Sequence, residues 1–173
     1  DTTTILKKMG TLSIPQSNSK PDVVFKDNLN DNEEYSEYKY YGFSNHLNKH
    51  IIGLNYYEGG SFFFVDPENG KDEDSADLQG YPYVSPNGKS FITFNANPYE
   101  NLGEIEVYTY YEEDGEFGFV FSGGFKFWMP LDQDNVHWID DNNVIIKVAH
   151  SKVFWDKKGS YNTKNYQFLK ISW

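Results

Sequence analysis

Nowhere along the 173 residues do apolar side chains recur every three to four positions; they come in short runs cut by glycine turns. The runs are Val23–Phe25, Ile51–Leu54, Ser61–Val65, Phe91–Phe94, Ile105–Tyr111, Phe117–Phe121, Val144–Val148 and Tyr166–Trp173. Between them stand Gly59-Gly60, Asn69-Gly70, Asn87-Gly88, Asp114-Gly115, Gly123-Gly124 and Lys158-Gly159. Asn-Gly and Asp-Gly supply the positive φ that two-residue hairpin turns demand. A chain of many short strands punctuated in this way reads as a sandwich, a barrel or a propeller, so the expectation is an all-β fold. Composition points the same way: 14 Tyr, 14 Phe and 4 Trp make the chain 18% aromatic, and such side chains favour pleated, half-buried surfaces.

The length predicts a single domain over residues 1–173. A chain of this size buries roughly 70% of its unfolded surface and needs no covalent staple. It has no cysteine, which removes thiol nucleophiles, thiolate metal sites and disulfides together. Residues 15–39 are polar and acidic with one short apolar cluster, and residues 1–39 are expected to be irregular.

Three later segments resemble one another. "YYGFSNHLNKHIIGL" (40–54), "YPYVSPNGKSFITF" (81–94) and "NVHWIDDNNVIIKV" (135–148) each carry a short strand ending in an anchor, Phe43, Val84 or Trp138. A polar turn follows each anchor and leads into an apolar strand. A further strand comes downstream in "SFFFVDPENGK" (61–71), "IEVYTYYEEDGE" (105–116) and "YQFLKISW" (166–173). The expected units are about 40–79, 80–133 and 134–173. The anchors lie 41 and 54 residues apart, so the extra length around Phe117–Gln133 reads as an insertion.

The middle segment is similar to the propeller repeats of the periplasmic Tol-system protein and related WD-like β-propellers. Those repeats show an aromatic strand, Ser-Pro-Asp-Gly-Lys, an apolar strand and a closing Gly turn, and Asn87 stands where the family usually has Asp. The likeness is clearest over 80–116, weaker over 40–71 and 135–173, and absent from 1–39. It implies a small or incomplete propeller-like array of three to four antiparallel sheets. Four sheets could close a ring if residues 1–39 paired with Phe168–Trp173. A β-sandwich or open barrel whose hairpins mimic the motif is the alternative. In the family resembled the repeat is scaffold, so no functional residue carries over.

Catalytic signatures are missing. There is no Gly-x-Ser-x-Gly elbow, and no Gly-rich phosphate loop leads into a helix. His46 and His50 have metal-ligand spacing only on a helix, and their segment reads as a hairpin turn. Asp66–Gly70 with Asp72, Glu73, Asp74 and Asp77 loosely evokes a calcium loop. Glycine falls fifth rather than sixth, however, and no Glu closes the twelfth position. Asp132, Asp134, Asp140 and Asp141 form a second acidic neighbourhood, and solvated turns account for both. No catalytic residue, metal or cofactor is expected.

The candidate ligand-binding residues are aromatics beside polar groups: Tyr41, Tyr81, Tyr83, Trp128, Trp138 and Trp155. Flat rings flanked by Asp, Asn and Gln suit sugars or peptide segments, offering stacking and hydrogen bonds together. The same rings could equally pack between sheets.

With 26 acidic residues against 15 lysines and no arginine, the chain lacks the basic footprint and bidentate contacts of nucleic-acid binders. The net charge of −11 repels anionic membranes, and no apolar run is long enough to span one. The chain opens on Asp1 with no signal-like run, from which export to the periplasm, cell surface or medium is expected after signal removal. The leading functional expectation is a non-enzymatic binding or scaffold module holding a protein or glycan partner through rim loops and aromatics. An acidic inhibitor or immunity-type protein docking on a basic enzyme is one alternative. A glycoside hydrolase using an acidic pair is the other.

Overall fold

In the computed structural model the described residues are 5, 7–17, 19–71, 77–97, 99–100, 102–111, 113, 116–131, 136–155 and 164–173. They form four antiparallel sheets, none closed into a barrel, and one helical turn. The chain divides into two compact units, residues 1–80 and 81–173.

The first unit begins with a sheet of β1 (Lys7–Lys8), β2 (Thr11–Ile14) and β3 (Val23–Lys26), in that order. The two turn residues joining β1 to β2, Met9 and Gly10, both have positive φ, 49° and 71°, as a tight hairpin requires. The region expected to be irregular thus contains a sheet. Its strands pair with one another and not with the C-terminal segment. Each of β2 and β3 is four residues long and turns two side chains inward, Leu12 and Ile14 from one, Val23 and Phe25 from the other.

The second sheet is a meander of β4 (Ser36–Ser44), β5 (Lys49–Tyr56), β6 (Gly59–Asp66) and β7 (Gly70–Lys71). Its Ile52, Phe63 and Val65 bury against Leu12 and Ile14 of the first sheet. Each such fully buried side chain contributes about 1.5–3 kcal/mol. Phe25 joins the two layers, its ring 5.1 Å from Tyr38 and 5.4 Å from Phe63. On the opposite face of the second sheet, Ile51 and Phe64 are buried too.

The second unit begins with another meander, β8 (Tyr83–Val84), β9 (Ser90–Asn97), β10 (Leu102–Tyr111) and β11 (Glu116–Gly124). The stretch read as an insertion around Phe117 therefore supplies the fourth strand of this third sheet, hydrogen-bonded to β10 from Glu104 to Tyr111. The fourth sheet holds β12 (Trp128–Pro130), β13 (Val136–Asp140), β14 (Asn143–His150) and β15 (Gln167–Ser172), with helix α1 (Ser151–Phe154) after β14. β13 and β12 pair with successive halves of β14 along one edge, and β15 pairs along the other. Thus β4-β5-β6, β8-β9-β10 and β13-β14-β15 are three runs of consecutive antiparallel strands.

The third and fourth sheets pack face to face. Ile92, Ile105 and Val107 meet Val144, Ile146 and Val148 in one fully buried cluster. Gly103 on β10 marks a close approach: a Cβ there would lie 2.2 Å from the Trp128 carbonyl oxygen and 2.9 Å from Pro130 Cδ.

The other face of the third sheet carries Phe91 stacked on Tyr108 at 4.6 Å, with Phe117 5.1 Å away. Beside them the Thr93 and Tyr108 hydroxyls both donate to Glu106 Oε2 at 3.1 Å. Burial, reinforced by the Glu106 charge and hydrogen bond, pushes the Tyr108 phenol up to about 12. A raised folded pKa favours the protonated form, so the stability tied to it is intact below the unfolded value near 10. That stability is lost as pH climbs from there through about 12. In a tyrosinate absorbance titration Tyr108 is expected to ionise late among the 14 tyrosines. Glu106→Gln should bring it down part of the way, because burial, the largest cause, remains. An unchanged late phase in that variant would show the carboxylate to be irrelevant.

Candidate functional site

The Ser-Pro-Asn-Gly-Lys motif is a turn held by hydrogen bonds among its own residues and Ser90. Ser85 is fully buried; its Oγ accepts from the Ser90 N–H at 3.0 Å, and the Ser85 N–H donates to the Ser90 carbonyl at 2.8 Å. Asn87 Oδ1 accepts from the Lys89 N–H at 2.8 Å, and Gly88 takes φ +75°. The anchor turns of the other segments are held likewise by their first oxygen. Ser44 Oγ accepts from the Leu47 N–H at 3.3 Å, and Asp140 Oδ1 accepts from the Asn142 N–H at 2.9 Å.

Asn87 Nδ2 also donates to the Asp141 carboxylate, tying the turn of the third sheet to that of the fourth. A second carboxylate at position 87 would face Asp141 instead of donating to it. Asn87→Asp is expected to destabilise the protein by about 1 kcal/mol, a charge-assisted hydrogen bond discounted for exposure. Asp141→Asn in the same chain should restore most of it. Additive single effects in that double-mutant cycle, read by chemical denaturation, would sink the coupling.

Of the residues expected to bind ligand, three flank the core of the second unit. Tyr83 stacks on Phe94 at 4.9 Å with planes 6° apart, and Trp128 and Trp138 are half-buried against the same apolar cluster. Trp138 meets Trp173 edge to face at 5.6 Å. Tyr81 leans on Tyr83 at 5.2 Å, and burial raises its phenol above the ordinary range. Tyr41, the extra residue of a bulge in β4, is exposed; its ring lies 4.9 Å from Phe62 and over Gly53. Trp155 follows α1, its ring 5.1 Å from Phe154 and 5.8 Å from Tyr99. Within the second unit, Tyr83, Trp128 and Trp138 flank one core, whereas the ring contacts of Trp155 are with Phe154 and Tyr99.

The histidines expected in a hairpin lie in one: His46 is in the β4–β5 turn and His50 is the second residue of the returning strand β5. His50 Nδ1 meets the Tyr40 hydroxyl at 3.2 Å, and burial lowers the imidazole's pKa. Asp66 Oδ1 accepts from the Glu68 and Asn69 N–H groups at 2.7 and 2.9 Å, the task of a turn former. Asp72, Glu73, Asp74, Asp132 and Asp134 lie outside the described residues. Among the described residues no three His, Asp or Glu side chains are grouped to hold a metal ion. No helix among them is long and apolar enough to cross a membrane.

Aromatics that the sequence reading passed over gather at the end of the second unit away from the Ser85–Lys89 turn. β9 and β14 both run toward that end, where the Tyr99 loop, Phe127 and α1 are found. Phe127 has φ +67°, a left-handed backbone that is costly for a bulky residue. Its ring stacks on the His150 imidazole at 5.8 Å with planes 7° apart. His150 Nδ1 accepts from the Lys152 N–H at 3.2 Å, which places the proton of the neutral ring on Nε2.

On the fourth sheet, alternation sends Val144, Ile146 and Val148 inward and Ile145 and Lys147 outward. The register sets Lys170 opposite Ile145 and Phe168 opposite Lys147, so all four share the outer face. Phe168 is 61% and Tyr166 45% exposed, their rings 5.5 Å apart, and Lys147 Nζ lies 4.0 Å from the Tyr166 centroid. Toward α1 the buried Ala149 carries Phe154, which leads through Trp155 to Tyr99, 84% exposed. The alternation in "YQFLKISW" would have exposed this face: Leu169 and Ile171 point in, Phe168 and Lys170 out. Comparison with known protein families, with curated proteins and with solved structures finds no match.

Proposed function

We propose that the chain is a non-enzymatic binding module built from propeller-type blades, holding a glycan through aromatics displayed on its surface. The blade reading is supported by the two four-stranded meanders, by the shared anchor-turn construction and by face-to-face packing of sheet on sheet. The observation that carries the binding reading is the exposed pair Tyr166–Phe168 on the outer face of the fourth sheet. Large exposed rings in one patch mark an interaction surface more often than isolated ones do. Phe168 on β15 and Tyr166 just before it, set edge to face, each offer a ring face to sugar C–H groups, and the strand leaves little ordering to be done on binding.

The test is affinity electrophoresis through gels containing soluble polysaccharides of neutral and acidic kinds, followed by calorimetry on those that retard the protein. Retardation by at least one, abolished by Phe168→Ala, is the expected result. No retardation by any of them would overturn the glycan reading. Release of reducing ends during the incubation would overturn the non-enzymatic one.

A further inference from the structure

Charge along this acidic chain is segregated. Of 26 acidic residues only Asp156 lies beyond position 141, whereas Lys147, Lys152, Lys157, Lys158, Lys164 and Lys170 all do. Two of these lysines stand on the outer face of the fourth sheet, in the same rows as its exposed rings. Lys147 is directly across from Phe168, and Lys170 is two residues along the same strand from it. Lys147 Nζ is held over the Tyr166 ring, which fixes an ammonium at the level of the platform.

From this arrangement we infer that the ligand of the outer face is an anionic polysaccharide, one whose sugar rings carry carboxylates. The inference rests on the glycan-binding reading and narrows it. The rings supply apolar planes for the sugar faces, and the two ammonium groups, set diagonally across β14 and β15, supply positive charge, that of Lys170 shared in part with Asp140. Charge complementarity makes the choice. A neutral glycan gains nothing from the lysines, and a protein otherwise so acidic would repel a polyanion anywhere else on its surface. The rings and ammonium groups are side chains standing off the sheet face, the geometry that stacks on sugar rings; polyglutamate tests the acidic peptide that would instead add a strand at the β15 edge.

The experiment titrates the full chain by calorimetry with alginate as the uronate polymer, dextran as the neutral one and polyglutamate as a polyanion without sugar rings. Alginate is expected to bind, dextran and polyglutamate to bind at least about tenfold more weakly. Phe168→Ala should weaken alginate about tenfold, and the pair Lys147→Ala with Lys170→Ala roughly fivefold. Phe168 and Lys170 are exposed, so folding should survive, and circular dichroism melts on each variant check this. Raising salt from about 0.1 M to about 1 M shortens the screening length from about 10 Å to about 3 Å and should loosen the wild-type complex. Dextran binding without alginate binding would overturn the inference and leave the glycan reading standing. Polyglutamate binding as tightly as alginate would overturn it as mere polyanion exchange, and binding to none of the three would overturn it outright. Alginate affinity indifferent to both variants would place the ligand elsewhere and overturn it as well.

Discussion

Gly103→Ala is expected to destabilise the second unit by about 3 kcal/mol, at the upper end of what an added methyl costs in a packed interior. The reason is what the methyl would meet. At Gly103 it is the Trp128 carbonyl oxygen, at 2.2 Å, with Pro130 Cδ at 2.9 Å. A backbone atom has no rotamer to escape into, so β12 and β10 must part. The Phe125 N–H, bonded to the Gly103 carbonyl at 2.6 Å, is strained by the same movement. Gly53→Ala is the control. There the methyl would meet the Tyr41 ring at 2.5 Å, but that ring is exposed and can swing aside, so about 1 kcal/mol is expected. A thermal melt should show Gly103→Ala falling by about 10 °C and Gly53→Ala by a few degrees. Equal falls would mean that β12 does not lie against Gly103.

Trp138→Ala and Trp138→Phe are expected to part company just as clearly. Removing the half-buried indole from its contact with Trp173 should cost about 3 kcal/mol, the lower end for an aromatic truncation. Phenylalanine keeps most of the ring. It also deletes an indole N–H that is buried with no hydrogen-bond partner among the described residues, as is that of Trp173. An unpartnered buried donor is a liability of about 1–3 kcal/mol, so its loss offsets the smaller ring. Trp138→Phe should then stay within about 1 kcal/mol of the parent in a denaturant titration. A penalty as large as that of alanine would reveal a partner for the N–H, such as a buried water. Unchanged stability with lost glycan retardation would instead move Trp138 into the binding surface.

Strand content was legible because it is written locally. Runs such as Phe91–Phe94 and Val144–Val148, closed off by Asn-Gly or Asp-Asn turns, need no distant partner to be recognised, and they lie in β9 and β14. What was hidden depended on partners. β2 and β3 each turn only two side chains inward, and the Ser, Asn and Asp residues around them drown so short a signal. β11 looked like inserted length because membership of a sheet is decided by hydrogen bonds to β10, which composition does not record. The rings were hidden for a related reason. Tyr83, Trp128 and Trp138 each lie two residues from a polar side chain, Ser85, Lys126 and Asp140, yet strand parity and the facing sheet turn them toward the core. Phe168, between Gln167 and Leu169 in sequence, is turned out by the same parity.

The second and third sheets are each assembled from strands that follow one another along the chain. Every hairpin can therefore close as soon as its second strand has left the ribosome, without waiting for distant sequence, and short loops close at little entropic cost. The fourth sheet obeys a different clock. Its central strand, β14, borrows an edge from β12 before it and another from β15 well after it, so its inner row of valines and isoleucine must wait beside the finished third sheet for Gln167–Ser172 to arrive. During synthesis, that interval is when the protein is most open to mispairing with a neighbouring chain.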